Sequence, residues 1–169
     1  MSFDELLTIL ARRTEESLGQ PMELPSGARR AFRLTAEYDD AELTRFESSW
    51  GVRFPPPYRE FLLRVGASEL GYGPGARGIS IHRLEDLAEF YHEILGKDAA
   101  SRFARFLPIG CDYESGEIAV ILDAAGDKPG FALFHVDQGL DDWEAGRGMR
   151  VDAPSSFEEW MAARSSAVA

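Results

Sequence analysis

Three consecutive prolines, Pro55, Pro56 and Pro57, stand directly before the amphipathic run Tyr58 to Val65. Proline fixes φ near the helical value and has no N–H, so it fits the first turn of a helix and fails further in. The residue before a proline is pushed towards an extended conformation. Phe54 and Pro55 are therefore predicted to be extended, with Pro56 or Pro57 opening a helix over about 56–65. Inside it Tyr58, Phe61, Leu62 and Val65 recur at i, i+3, i+4 and i+7 and make one apolar face. Gly66 follows where a left-handed helix cap belongs. The stretch is a stop, a corner and a start.

Around this corner the rest of the chain divides into a helical half and a strand-rich half. Ser2 and Glu5 form a capping box for a first helix with Phe3, Leu6, Leu7 and Leu10 on one face, closed by Gly19. A polar, proline-containing loop follows, with a short strand around Phe32 to Leu34. Asp39 or Asp40 caps a second helix that aligns Leu43, Phe46 and Trp50. The segment GASELGYGPGARG, with five glycines, reads as a flexible loop, and ISI at 79–81 as a short strand. A fourth helix is predicted from Arg83, with Leu84, Leu87, Tyr91, Ile94 and Leu95 inward. Beyond Gly96 the runs FLPIG, EIAVILD and GFALFHV are apolar and β-branched, and AAGDKPG between the last two is turn chemistry. They predict an antiparallel meander. A last helix starts at Ser155 or Ser156 with Phe157, Trp160 and Met161 inward, and Trp50, Phe61 and Trp160 are read as core. Helices and strands are partly segregated, so the expected class is α+β, a single domain over 1–169.

At 169 residues such a domain can bury roughly 70% of its unfolded surface. The longest strand-like apolar run, Ile118 to Leu122, is far short of the ~20 residues of a membrane span. The N-terminus carries acids where a secretory leader needs positive charge. The single cysteine, Cys111, leaves no partner for an internal disulfide, and a reduced, cytoplasmic setting is the expectation. The net charge of −11 is unevenly spread: residues 1–110 carry 17 acids and 14 bases, residues 111–169 carry 12 acids and 4 bases. Such a field repels nucleic acid and anionic membranes and favours a basic protein partner.

No residue pattern assembles a catalytic site. His82, His92 and His135 lie in different elements and make no metal-spaced pair. Cys111 without a neighbouring base behaves as a small apolar residue. GYGPGARG lacks the Lys-Ser/Thr of a phosphate loop, and the acids Asp112, Glu114, Glu117 and Asp123 lack calcium-loop spacing, so a solvated hairpin turn is expected there. No cofactor or metal is expected. The suggestive segment is DQGLDDWEAGRG, where Asp137, Asp141, Asp142 and Glu144 surround Trp143. Trp143 is either an exposed aromatic anchor for a basic partner or a ring folded back onto the sheet. The candidate partner-binding residues are Asp141, Asp142, Trp143 and Glu144, with Asp112 and Glu114 from the acidic turn and Tyr72 from the glycine-rich loop.

The order of these pieces resembles a known family. A helix ending in Trp50-Gly51, the extended Phe54-Pro55 corner, PYREFLL, FLPIG, DYESGE, a strand ending in Asp123, GFALFHVD and SFEEWM are similar, in that order, to the signature of the SUKH superfamily, the Smi/Knr-like proteins. The resemblance covers about residues 37–164 and leaves 1–36 as an N-terminal helix and loop. One position departs: the family often ends the proline-corner helix in Asn-Gly, and here Val65 and Gly66 keep the cap without the amide. The resemblance implies a non-enzymatic binding module. Many bacterial members are immunity proteins that block a cognate toxin, often a basic nuclease; the fungal relatives imply the alternative, a regulatory or scaffolding protein without a toxin.

Overall fold

The computed structural model describes residues 1–87, 89, 104–150 and 153–164. Seven strands, β1 (Met22–Glu23), β2 (Arg29–Ala36), β3 (Ala67–Tyr72), β4 (Ile79–Ile81), β5 (Phe106–Asp112), β6 (Glu117–Leu122) and β7 (Gly130–His135), form one open sheet in the order of the chain. Every strand pairs antiparallel with its successor. The helices among the described residues are α1 (Phe3–Ser17), α2 (Asp40–Trp50), α3 (Pro56–Arg64), α4 (Leu140–Glu144) and α5 (Phe157–Ala163), with a 3-10 turn at Leu84–Asp86. The class is α+β, as the sequence predicts.

The proline corner folds as its chemistry dictates. Pro55 is extended (φ −54°, ψ 139°), Pro56 opens α3, and Gly66 closes it at φ +80° with its N–H on the Phe61 carbonyl, 3.2 Å away. A Cβ on Gly66 would overlap the Ala36 carbonyl, so glycine is required there for space as well as for conformation. The capping boxes at Ser2/Glu5 and Asp39/Glu42 are both formed.

One sheet face is covered by α1, α3 and α5, and Phe157 is the hub of that layer. Its ring meets Tyr58 at 5.2 Å, Phe61 at 5.4 Å, and Phe3 and Phe131 at 6.4 Å, all edge to face. Burying a ring of this kind is worth about 2–3 kcal/mol, and edge-to-face pairs add to it. Burial pushes the Tyr58 phenol far above its ordinary pKa. Phe131 contacts Phe157 and Trp160, so by strand alternation Phe134 points to the opposite face. β5 is buried along its whole length, and it bulges at Ile109, between Pro108 and Gly110.

Three expectations are corrected. GASELGYGPGARG is not a flexible loop: Ala67–Tyr72 is β3, and Gly73 and Ala76 exchange two 3.0 Å backbone bonds around Pro74-Gly75. Gly75 at φ +73° takes the turn position that excludes side chains, so the glycines specify a tight hairpin. The N-terminal segment is more than helix and loop, because β1 and an eight-residue β2 build one side of the sheet. The bonds Gly19 N–H to Phe32 O (2.9 Å) and Phe32 N–H to Ser17 Oγ (2.9 Å) fasten that strand to α1. Trp50 is not core. Only Leu43 of α2 is buried; Trp50 lies 42% exposed against Phe46, because α2 packs at the periphery of the helix layer. The expected fourth helix opens with the 3-10 turn at Leu84–Asp86, with Leu84 and Leu87 buried as expected, and Tyr91, His92, Ile94 and Leu95 lie outside the described residues. Among the described residues no helix is long and apolar enough to cross a membrane.

Candidate partner-binding face

The acidic loop after β7 is built on Trp143. α4 has no side-chain N-cap and only five residues, so its own hydrogen bonds cannot hold it. The Trp143 ring holds it instead: it stacks on Phe134 at 4.7 Å and leans on Phe106 at 6.0 Å, and is 2% exposed. Of the two alternatives, the folded-back ring is the one found, and Trp143 as an exposed anchor is corrected. Sequence could not separate them, because the aromatic surface that receives the ring comes from β5 and β7. The loop then returns along the outer edge of β7, with His135 N–H to Gly148 O and Arg150 N–H to Leu133 O, both 3.1 Å. Gly148, at φ +76°, lies so close to Gln138 that a Cβ would overlap that side chain. Clamped at both ends, the loop presents exposed Asp137, Asp141 and Glu144 on a fixed backbone. Half-buried Asp142 pairs with Arg147 at 2.8 Å, Glu144 with Arg105 at 3.7 Å, and Asp137 with His135 at 3.3 Å.

The acidic turn divides in two. Glu114 is exposed and accepts the Arg77 N–H at 3.2 Å. Asp112 is 1% and Glu117 7% exposed, so neither is a solvated turn residue and Asp112 is not presented to a partner. Register explains this: Ile79, Asp112, Glu117 and His135 form one cross-strand row on the helix-covered face, where Arg164 at the end of α5 descends on them. Arg164 Nε lies 2.6 Å from Asp112 Oδ2, with its N–H off the line of the oxygen, so charge holds this pair. Arg164 Nη2 reaches Glu117 Oε2 at 3.3 Å, Arg150 Nη1 reaches Glu117 Oε1 at 3.1 Å, and Ser115 Oγ donates to Glu117 at 2.8 Å. Asp112 Oδ1 accepts from the N–H groups of Glu114 and Ser115 at 2.9 and 3.3 Å. Two buried carboxylates are thus matched by two guanidiniums. Neither arginine stood out in the sequence, since nothing local to positions 150 or 164 signals a partner 33 to 52 residues away. Tyr72 is half-buried and donates to the Gly19 carbonyl at 3.1 Å, joining β3 to the end of α1.

Among the described residues, two other titratable groups, His82 and Cys111, lie close together. His82 Nε2 and Cys111 Sγ are 3.7 Å apart. Burial pushes the imidazole down to about 4 and the thiol up to about 12, so at neutral pH both are uncharged and the thiolate nucleophile is suppressed. No group of three or more His, Cys, Asp or Glu able to hold a metal occurs among the described residues. An open depression of about 500 Å³ over β2 to β4, lined by Arg33, Glu69, Ser80, His82, Arg83 and Asp86, also went unread in the sequence. Its charges are internally balanced, by Arg33–Glu69 at 2.6 Å and a two-point Arg83–Asp86 pair at 2.7 and 2.8 Å.

An open antiparallel meander with α1, α3 and α5 over one face and the short α4 against the other defines an α+β domain. More particularly, the chain belongs to the SMI1 / KNR4 family (SUKH-1), whose family model matches residues 37–163. That family is generally non-catalytic and associated with protein–protein interaction. No curated protein matches the chain. The match begins inside the folded unit: α1, β1 and β2 precede it yet carry part of the sheet and core.

Proposed function

We propose that this protein is a non-enzymatic binding module of the immunity type, which binds a basic cognate toxin and occludes its active site. The observation that carries the reading is the acidic loop held at fixed geometry by the buried Trp143, within a segment of 12 acids and 4 bases. A nuclease binds phosphates with clustered Lys and Arg, and a rigid display of carboxylates can stand where those phosphates would. Rigidity matters because preorganised side chains lose less entropy on docking. The regulatory reading, favoured by the fungal namesakes of the family, predicts no toxin gene beside this one.

The experiment is co-expression with the product of the adjacent gene, followed by binding kinetics at low and moderate salt. Asp141→Asn with Asp142→Asn is expected to lower the association rate severalfold and flatten its salt dependence, with little change in melting. Failure of the wild-type protein to bind or protect against that product overturns the immunity reading.

A further inference from the structure

Among the described residues, most large apolar side chains left exposed are scattered singly, which is ordinary for a soluble protein. Three are not. Tyr113 (50% exposed), Val136 (46%) and Met149 (45%) occupy one end of the sheet face opposite the α1, α3 and α5 layer. Their placement follows from register. Ser80, Cys111, Ile118 and Phe134 form one cross-strand row on that face. Met149 pairs with Phe134 across the outer edge of β7 and extends the row. Val136 lies two residues beyond Phe134 and Tyr113 two beyond Cys111, so alternation brings both to the same face. The Tyr113 N–H donates to the Gly78 carbonyl at 3.1 Å, which keeps Tyr113 in register beyond the Ser80–Cys111 pair. Between Tyr113 and Val136 lies Gly116, whose carbonyl takes the Val136 N–H at 2.9 Å and which adds no side chain to the floor.

We propose that Tyr113, Val136 and Met149 are the apolar centre of the interface with the basic partner, and that the acids around them are its rim. The proposal rests on the binding-module reading above. Asp141 and Glu144 are exposed carboxylates of α4, whose Trp143 stacks on Phe134, the residue that Met149 pairs with on this face. Tyr and Met are enriched at the desolvated centres of interfaces, while rim charges set the encounter rate. The charge selects the occupant. A second copy of this chain would set acid against acid, and nucleic acid or an anionic membrane would be repelled. A protein surface with apolar side chains ringed by Lys and Arg complements both parts.

The test uses the purified product of the adjacent gene as probe, with wild type, the triple variant Tyr113→Ser/Val136→Ser/Met149→Ser, and the single variant Met149→Lys. The expected result is a dissociation rate raised about 100-fold in the triple variant and at least about 10-fold in Met149→Lys, with association little changed. Melting temperatures are expected to stay within about 3 °C of wild type, since exposed residues are replaced. Wild type that binds while both variants dissociate at its rate places the interface elsewhere and leaves the immunity reading standing. Wild type that does not bind removes that reading and the assigned occupant together. Loss of melting temperature well beyond about 3 °C in both variants assigns the three side chains to packing and overturns the proposal.

Discussion

Truncation of Trp143 distinguishes a loop built for display from a ring used as bait. The ring is 2% exposed and, among the described residues, meets Phe134 at 4.7 Å and Phe106 at 6.0 Å. Replacing it with Ala removes the buried surface and leaves a cavity, a change that costs about 3–5 kcal/mol for large aromatics. At about 2–4 °C per kcal/mol for a chain of this size, melting should fall by about 6–20 °C. Trp143→Phe should behave differently. The indole N–H is buried without a hydrogen-bond partner, so phenylalanine keeps the stack on Phe134 and relieves an unsatisfied donor. Its cost should be under about 1.5 kcal/mol. Thermal unfolding of the three proteins by circular dichroism, with binding measured beside it, decides the matter. If Trp143→Ala melts with wild type while binding is lost, the ring is an interface residue and the account of the loop given above is wrong.

Two further outcomes test the buried charges. Arg164→Met should destabilise by up to about 3–5 kcal/mol by stranding Asp112, and adding Asp112→Asn should recover much of that loss; additive urea-unfolding energies would refute the pairing. His82 has its folded pKa pushed down to about 4 from 6.5, so the unfolded chain binds the extra proton and stability falls as pH drops from about 6.5 to 4. The loss should reach at most about 3 kcal/mol, and His82→Gln should flatten that part of the melting-temperature profile; an unchanged profile would show that His82 is not the titrating group.

Local chemistry was legible in the sequence wherever one short segment decides its own conformation. The proline corner needs only fixed φ and missing N–H groups, the Ser2/Glu5 capping box needs only residues three apart, and the β5 to β7 meander needs only alternation and turn residues. Each was read correctly from the residues, as was the order of motifs that marks the family. What failed to read was burial, because burial depends on what arrives from elsewhere. Trp50 has the helical spacing of a core residue, yet α2 packs at the edge and leaves it in solvent. GASELGYG has the glycine content of a mobile loop, yet cross-strand pairing with β2 and β4 makes it a strand and a tight hairpin. Asp112 and Glu117 look like solvated turn acids until the sheet register aligns them and Arg150 and Arg164 reach them from the C-terminal segment. Trp143 is the sharpest instance: its acidic neighbours are fixed by sequence, but only Phe106 and Phe134, brought together by β5 and β7, decide that the ring lies beneath the loop. A chain can encode its turns and caps within a few residues. The partner of a buried charge or ring is chosen by the sheet, through contacts whose loop-closure entropy only the whole fold repays.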